Sequence, residues 1–230
     1  MGLPPIIVIT GIDGSGKTTQ SEMLSHYIDK KGIKCSRVQQ FACEFSLAKI
    51  FIGKFAKKLI ALERKYSDNP HFIQSEMSEP SLLKFLIKKI AEFRILSMSL
   101  FRTWNKILKN RNSTIIIFDR YIYDDVNKSI WLYNTSPQKT SVLYALVPKP
   151  IAIFYLDLPA EIGWKREIDG DTTLIQHISK KEIYDSWFNM YKKTLPIYKI
   201  STHDNDPSQV HSEIIKILEK TNNNLLIQNS

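Results

Sequence analysis

The sequence predicts an α/β fold, in which a parallel β-sheet is flanked by helices and carries a helical insertion. Three features support this prediction: short apolar runs rich in β-branched residues, helical segments that alternate with them, and a glycine-rich turn after the first run. Strands buried on both faces of a parallel sheet read as continuous apolar runs, and helices serve as their crossover connections. We therefore expect one domain over residues 1–230, which suits a chain that is 43% hydrophobic.

Strands and helices are expected in alternation along most of the chain. The predicted strands are 5–10, 34–41, 113–118, 150–158 and 195–200. The predicted helices between and after them are 16–31, 122–134, 159–168, 179–194 and 207–220. Gly32 is the expected C-terminal stop of the first helix, and the tail 221–230 is expected to be frayed.

Residues 42–112 interrupt this alternation and form the expected insertion. Apolar side chains at helical spacing predict a helix that packs on the core, through Leu83, Leu86, Ile90, Phe93, Leu100, Trp104 and Ile107. Segment 47–65 predicts a second helix, amphipathic and basic, and 66–72 a loop. An interfacial membrane helix would have a similar sequence, but we favour ordinary packing or a dimer contact.

The positive charge of the chain is concentrated in that insertion. It carries 14 Lys and Arg against 6 Asp and Glu, so it holds +8 of the net charge of +9. A solvated basic helical face is the simpler explanation, and a surface for nucleotide phosphates is the functional one.

The remaining composition narrows the class of protein. No apolar run is long enough to cross a bilayer, and no signal peptide precedes the first strand. Two cysteines, Cys35 and Cys43, are too few for a disulfide framework, and the five histidines lack metal-ligand spacing. We expect a cytoplasmic protein.

The turn after the first strand fits G-x-x-x-x-G-K-[ST] at residues 11–18 without a gap. Its glycines permit backbone angles that let successive N–H groups point at one anion, and the helix that follows adds its N-terminal dipole. The turn therefore predicts a site for ATP with Mg²⁺, in which Lys17 reaches the β/γ-phosphates and the Thr18 hydroxyl binds the metal. The expected ATP-binding residues are Gly11, Gly14, Ser15, Gly16, Lys17, Thr18 and Thr19. We expect Lys17 to face solvent and ligand.

A second candidate site follows the third strand, in "FDRYIYDD". Asp119 stands at the carboxyl end of the strand, where open α/β sheets bind ligands, and can hold Mg²⁺ through water. Arg120 beside it offers a planar fork to phosphate oxygens. The expected metal ligands are therefore Thr18 and Asp119.

Together, "GIDGSGKTT", "DRY" and "FYLDLPAEIGWKRE" resemble the thymidylate kinase family of P-loop nucleoside monophosphate kinases. The resemblance covers the first 40 residues and about 113–218, while the insertion matches poorly. It implies the P-loop nucleoside triphosphate hydrolase/kinase fold, ATP–Mg²⁺ as the donor, and a nucleoside monophosphate, dTMP by default, as the acceptor. It also implies a homodimer.

The resemblance also implies roles for single residues. Asp13 would face the acceptor sugar, Asp119 would support Mg²⁺, Arg120 would bridge donor and acceptor phosphates, and Tyr121 would line the acceptor pocket. Some family members carry an arginine where this chain has Gly14, and others supply a lid arginine instead. The lid is expected at 163–178, where Lys165 or Arg166 is the candidate for charge compensation. The implied catalytic residues are Lys17, Asp13, Asp119, Arg120 and Arg166; the implied acceptor-binding residues are Asp13, Phe41, Arg94, Arg120, Tyr121 and Asp124.

The departures from the family all fall on the acceptor side. The arginine that typically follows strand two is absent, and Gln39, Gln40 and Glu44 occupy its neighbourhood. Arg94 lies 25 residues before Asp119 and Arg102 lies 17 before it, and we favour Arg94 for the helix arginine of the family. Ile90 stands where the family stacks a phenylalanine on thymine, and Phe93 replaces it only if the helix is rotated. Asp124 takes the place of a serine.

Two other functions stay open on the sequence. One is a deoxynucleoside kinase that uses Glu44 as general base toward a sugar hydroxyl, although such enzymes tend to carry glutamate–arginine–serine in place of Asp119–Arg120–Tyr121. The other is an ATP-sensing module that binds nucleic acid through the basic insertion. The insertion lacks the interleaved aromatics of a single-strand binder, so we expect neither nucleic acid nor membrane as a partner.

Overall fold

The computed structural model of the protein describes residues 2–40, 82–133, 135–137, 141–167 and 172–221. In these residues five parallel strands form one sheet in the order β2-β3-β1-β4-β5. The strands are β1 Ile6–Thr10, β2 Cys35–Gln39, β3 Ile115–Asp119, β4 Ala152–Asp157 and β5 Ile197–Ser201. The helices are α1 Lys17–Lys30, α2 Leu82–Lys109, α3 Ile122–Tyr133, α4 Ala160–Arg166, α5 Leu174–Tyr191 and α6 Pro207–Thr221, with a 3₁₀ segment at Ser141–Leu146.

The apolar strands are buried on both faces, as their continuous apolar sequence predicts. Along β1, Ile6 and Val8 point to one face of the sheet, and Ile7 and Ile9 point to the other. Side chains of α2, α3 and α5 cover the first face, and those of α1 and α6 cover the second. The α/β prediction is therefore confirmed.

The sheet topology brings two loops together at one edge. β1 lies in the centre and pairs with both β3 and β4, and Ile9 is the register partner of Asp119. The turn after β1 and the turn after β3 therefore leave the sheet side by side. This is the carboxyl edge at which open α/β sheets bind ligands.

Helix α5 begins at Leu174, five residues before the start that the sequence predicted. A capping box explains the earlier start. The Thr173 hydroxyl accepts a hydrogen bond from the Gln176 N–H at 3.3 Å, and the Gln176 side chain accepts one from the Thr173 N–H at 3.0 Å. The other predicted strands and helices of the described residues start and end within about two residues of the observed bounds, the usual spread of such assignments.

The apolar side chains predicted to be buried along the helix of the insertion include one, Phe93, for which the prediction is wrong. Ile107 is fully buried, and Leu100 packs against the core, but the Phe93 side chain is 73% exposed. The buried face of α2 is instead partly polar and contains Glu92, Ile95, Ser99, Thr103 and Ile107. A search for apolar periodicity cannot find such a face, because its polar members Ser99 and Thr103 are satisfied by hydrogen bonds to Asp125 and Gln40 in other parts of the fold.

Several predictions lie outside the described residues. They are the helix at 47–65, the loop at 66–72, the side chains of Leu83, Leu86 and Ile90, residues 168–171 of the lid, and the tail beyond Thr221. Among the helices that are described, none combines the length and the apolar character needed to cross a bilayer.

Candidate active site

The glycine-rich turn after β1 has the geometry of an anion cradle. Gly11, Gly14 and Gly16 have φ angles of 148°, 78° and 87°, in the region that favours glycine. Gly16 is the N-cap of α1, and no side chain caps the helix there. The first N–H groups of α1 are therefore free of side-chain competition for an anion. The turn is also open, since Gly16, Thr18 and Thr19 are exposed.

Lys17 lies inside this turn and not on its surface. Its side chain is 6% exposed, and Nζ donates to the Ile12 carbonyl at 2.5 Å and lies 3.9 Å from Asp13. Burial, followed by the charge of Arg120, lowers its pKa from 10.5 to about 8. The expectation that Lys17 faces solvent is therefore wrong: the ammonium is desolvated and folded back onto the backbone of the turn.

Thr18 and Asp119 form the pair that the sequence proposed for a metal. The Thr18 hydroxyl donates to Asp119 Oδ2 at 2.8 Å. Asp119 is 1% exposed, and its Oδ1 has no hydrogen-bond partner among the described residues. A buried carboxylate oxygen without a donor, next to an exposed hydroxyl, is a suitable arrangement for a hard cation such as Mg²⁺.

Arg120 is held in an unusual conformation. Its φ of 69° is the one positive value among the described non-glycine residues. The backbone N–H donates to the Ile9 carbonyl at 3.0 Å, which ties the turn to β1. The guanidinium donates to Asp13 and lies 4.0 Å from Asp124. Strained backbone of this kind persists where surrounding contacts determine it, and it is common at functional sites.

Three cations lie close to Asp13. Burial alone would raise the pKa of Asp13, but Arg120, Lys17 and Lys180 together hold it well below its usual range. Burial would lower the pKa of Arg120, yet its neighbours, Asp13 first, hold it above its usual range. Asp13 and Arg120 are therefore an ion pair at neutral pH. The ammonium groups of Lys17 and Lys180 also lie beside Asp13, so three cations converge on the turn, an arrangement that suits the oxygens of a polyphosphate.

Asp124 is a buried anchor beneath Arg120. Its Oδ1 accepts hydrogen bonds from Thr10 at 2.9 Å and Tyr184 at 2.6 Å, and its Oδ2 accepts one from the Tyr121 N–H at 2.9 Å. It is 6% exposed, and burial raises its pKa. Because its oxygens are already occupied by protein donors, Asp124 positions the turn that carries Arg120 and does not project toward an open pocket.

Lys180 is the site residue that sequence reasoning missed. It comes from α5, and its Nζ lies 3.2 Å from Asp13 Oδ2 and 5.0 Å from the centre of the Trp131 ring. Nothing in "SKKEIYD" separates Lys180 from the adjacent Lys181, which pairs with Asp157 and Asp185 instead. Helical periodicity would have shown which of the two lysines faces the site only if the start of α5 had been known.

The two cations that the sequence predicted for the lid do not pair with Asp13. Lys165 and Arg166 are exposed, and neither forms an ion pair with another described residue. The reason is a backbone contact: a Cβ on Gly14 would lie 2.6 Å from the Gly163 carbonyl oxygen, so α4 packs directly on the turn. This contact brings the middle of α4 onto the turn and leaves Lys165 and Arg166, in its last turn, exposed.

Comparison with known proteins gives distant relatives that span nearly the whole chain. No protein-family model matches the sequence. A probable thymidylate kinase of Saccharolobus solfataricus is 24% identical over 216 residues, which cover 94% of this chain and 97% of the relative. Along nearly its whole length, the chain is therefore similar to proteins named thymidylate kinase.

Comparison with solved structures shows the fold of the chain. Thymidylate kinase from Candida albicans matches with a TM-score of 0.57 and 19% identity, covering 97% of this chain and 94% of that one. Deoxyadenosine kinase from M. mycoides with bound dATP matches with a TM-score of 0.58 and 17% identity, covering 93% and 99%. At such identities the likeness concerns the fold, which is that of the P-loop nucleoside and nucleotide kinases.

On the side where the sequence predicted the acceptor, the described residues form a closed polar network. Gln40 donates to Thr103 at 3.1 Å and to Asp125 at 2.9 Å, and Ser99 donates to Asp125 at 2.5 Å. All four side chains are at most 2% exposed, and burial raises the pKa of Asp125. Gln40 therefore connects the end of β2 to α2 and α3.

The other predicted acceptor residues fall in three groups. Tyr121 is fully buried in the core, where its hydroxyl donates to the Pro148 carbonyl at 3.0 Å, so it does not line an open pocket. Phe93 projects outward from α2. Phe41, Glu44 and the side chain of Arg94 lie outside the described residues.

Proposed function

We propose that the protein transfers the γ-phosphoryl group of ATP to a nucleoside monophosphate, with dTMP as the acceptor and dTDP as the product. The observation that carries the proposal is the meeting of Lys17, the Thr18–Asp119 pair and the Arg120–Asp13 pair at the carboxyl ends of β1 and β3. Similarity to proteins named thymidylate kinase along nearly the whole chain supports dTMP as the acceptor.

The donor side of this reaction needs alignment and charge compensation rather than covalent chemistry. The N–H groups of residues 11–19 would cradle the β- and γ-phosphates. Lys17, which lies on the Ile12 carbonyl, would exchange that contact for phosphate oxygens. A bound polyphosphate would raise the pKa of this lysine again, because the anion offsets the desolvation that lowers it.

Magnesium would be held by the Thr18 hydroxyl and, through water, by Asp119, whose buried Oδ1 is without a donor among the described residues. Mg²⁺ in such sites is bound by one or two protein oxygens together with substrate phosphates. Its chemical contribution is to neutralise charge on the phosphate oxygens during transfer.

Arg120 is the residue best suited to contact both phosphates. Its guanidinium is fixed by Asp13, by the positive φ and by the nearby Asp124. A preorganised planar fork stabilises charge in the transition state without reorganisation at the moment of reaction. Asp13 would then keep the fork in place and face the acceptor sugar. Arg94 and Phe41 remain predicted acceptor contacts.

A deoxynucleoside kinase is the second candidate, because the fold of this chain is equally similar to deoxyadenosine kinase. The two candidates differ in whether the acceptor already carries a phosphate. The convergence of three cations on Asp13, the residue proposed to face the acceptor sugar, favours the phosphorylated acceptor.

The deciding experiment is ADP release from ATP–Mg²⁺ across a panel of dTMP, dUMP, the other monophosphates, thymidine and the other nucleosides. Lys17→Met serves as the control against a contaminating kinase. Preference for dTMP supports the proposal, and preference for a nucleoside replaces it with the second candidate. ATP binding without any acceptor would favour the ATP-sensing module, whose nucleic-acid binding would weaken steeply with salt.

We further propose that the protein is a homodimer and cytoplasmic. Exposed apolar side chains on α2 support the homodimer: Phe93, Phe101 and Leu108 are 73%, 65% and 51% exposed. Their spacing of eight and seven residues places them along one face of the helix.

A further inference from the structure

We propose that Lys180 of α5 contacts the transferred phosphoryl group and supplies the charge compensation that α4 does not. This inference rests on the proposed function, since it assigns a further catalytic residue to the same site. It begins from the position of its ammonium group, which lies 3.2 Å from Asp13, a residue of the glycine-rich turn.

Three cations from three separate elements converge on Asp13. Lys17 comes from the start of α1, Arg120 from the turn after β3, and Lys180 from α5. Asp119 and Asp124 offset part of the charge of Lys17 and Arg120, whereas the ion pair of Lys180 among the described residues is the one with Asp13. The charge that develops on a transferred phosphoryl group is spread over three oxygens, and cations positioned around it stabilise the transition state.

Helix α5 aims Lys180 at this cluster by its packing. His177, Lys180 and Tyr184 are three and four residues apart, so they share one face of the helix. His177 is fully buried and lies close to Gly163, and Tyr184 donates to Asp124 at 2.6 Å. The residues on either side of Lys180 on this face are therefore fixed to the walls of the site, which presents the ammonium to the turn.

The groups around the Lys180 ammonium hold it in place without using all of its hydrogen-bond donors. The Lys180 side chain is 19% exposed, and the Trp131 ring lies beneath Nζ at 5.0 Å. An aromatic face stabilises a cation but removes none of its hydrogen-bond donors. The ammonium can therefore turn from Asp13 to a phosphate oxygen while it remains over the ring.

The position of α4 explains why this cation comes from α5. Gly14, where some family members carry an arginine, approaches Gly163 too closely for any side chain, since a Cβ there would lie 2.6 Å from a carbonyl oxygen. Lys165 and Arg166 are exposed beyond this contact. Among the described residues, Lys180 is the cation that reaches the turn from the lid side.

The test compares Lys180→Gln, Lys180→Arg and Lys181→Gln with the wild type. Lys181 is the matched control, because it is the next residue of α5 and pairs with Asp157 and Asp185, away from the turn. The measurements are kcat and KM for ATP and dTMP, the Kd values of ATP and ADP, and Tm. We expect Lys180→Gln to lower kcat by about 100-fold, as loss of one preorganised donor does, with little change in Tm. Lys180→Arg should recover most of kcat, and Lys181→Gln should lower Tm while kcat is retained.

The affinities for ATP and ADP test the role of Lys180 independently of the proposed function. Lys180→Gln should weaken ATP binding by about ten-fold more than ADP binding, because a charge-assisted contact to the γ-phosphate is lost. If the wild type phosphorylates no acceptor, the proposed function fails, and the ratio of ATP to ADP affinity alone decides the role of Lys180. A kcat for Lys180→Gln within about three-fold of the wild type, or an equal loss of ATP and ADP affinity, would overturn the inference.

Discussion

At the scale of single residues, the site depends on charges that the fold keeps partly desolvated. Lys17 is the clearest case, because its ammonium is buried next to Arg120 and hydrogen-bonds to a backbone carbonyl. The ligand-free protein therefore holds this lysine at a cost in stability, and a bound phosphate offsets that cost. The binding energy of the phosphate therefore offsets the cost of placing a charge, and charge placement is what phosphoryl transfer requires of a protein.

A pH-dependent prediction follows for Lys17→Met, which removes the charge but keeps the length of the side chain. The pKa of Lys17 falls from 10.5 to about 8 on folding, so between those values the unfolded chain binds a proton that the folded chain does not. Relative to the variant, the wild type should therefore be least stable below pH 8 and gain stability as pH rises toward 10.5. The penalty below pH 8 is about 3 kcal/mol at most, at 1.36 kcal/mol per pKa unit.

Urea unfolding of both proteins at several pH values between 7 and 10, without nucleotide, measures this difference. Asp13 and Arg120, the charged groups beside Lys17, keep their charges between pH 7 and 10, so the subtraction isolates residue 17. We expect Lys17→Met to be the more stable protein at pH 7 and to lose phosphoryl transfer. A variant less stable than the wild type at pH 7, or one with normal turnover, contradicts the role given to Lys17.

Whether a site residue could be predicted from the sequence depends on how far along the chain its partners lie. The residues of the turn were predictable because eight consecutive positions carry the pattern, and Asp119–Arg120 because an apolar strand precedes them. Lys180 was not predictable, because its partner Asp13 is 167 residues away and a pair of lysines in a helix is normally a solvated face. Asp124 was assigned to an acceptor pocket for the same reason, since its donors Thr10 and Tyr184 come from distant parts of the chain.

At the scale of elements, the strands were predictable and the packing between helices and loops was not. An apolar run marks a strand buried on both faces, whatever its neighbours. By contrast, the direct contact between the turn and α4 depends on two glycines, Gly14 and Gly163, that are far apart in sequence. Only the folded chain brings them together.

This contact gives a prediction for Gly163→Ala. The added Cβ would lie 2.8 Å from the Asp13 carbonyl oxygen and 3.0 Å from Ile12 Cδ1, so α4 and the turn must separate. Overpacking of this kind costs about 1–3 kcal/mol. We expect a lower Tm and weaker ATP binding together, because the displaced backbone belongs to the phosphate cradle.

Glu161→Ala is the control for that experiment, since Glu161 lies exposed in the first turn of the same helix. Differential scanning calorimetry gives Tm, and calorimetric titration gives the Kd of ATP. If Gly163→Ala binds ATP as tightly as Glu161→Ala does, then α4 does not support the turn, and the contact is incidental.

At the scale of the whole molecule, the sequence pattern specifies least the order of the strands in the sheet and the assembly of the chain into a dimer. Alternating strands and helices predict a parallel sheet, but they do not say that β1 lies between β3 and β4. That order is nevertheless what joins the two candidate sites, because it puts the turns after β1 and β3 side by side. Apolar periodicity in α2 likewise predicted a buried stripe, whereas Phe93 faces outward.

The outward apolar face of α2 carries the last prediction, which concerns assembly. Phe93, Phe101 and Leu108 expose large apolar side chains along one helix, and such patches mark interaction surfaces more often than scattered single residues do. If the proposed homodimer uses this face, sedimentation equilibrium should give twice the chain mass of 26.7 kDa. Phe101→Asp should then shift the protein toward monomer, because it puts a charge into the apolar contact. Ile175→Asp, at a site on α5 that is 60% exposed, should leave the mass unchanged. A wild type that sediments as a monomer rules out the dimer, and a dimer that tolerates Phe101→Asp moves the interface to another surface.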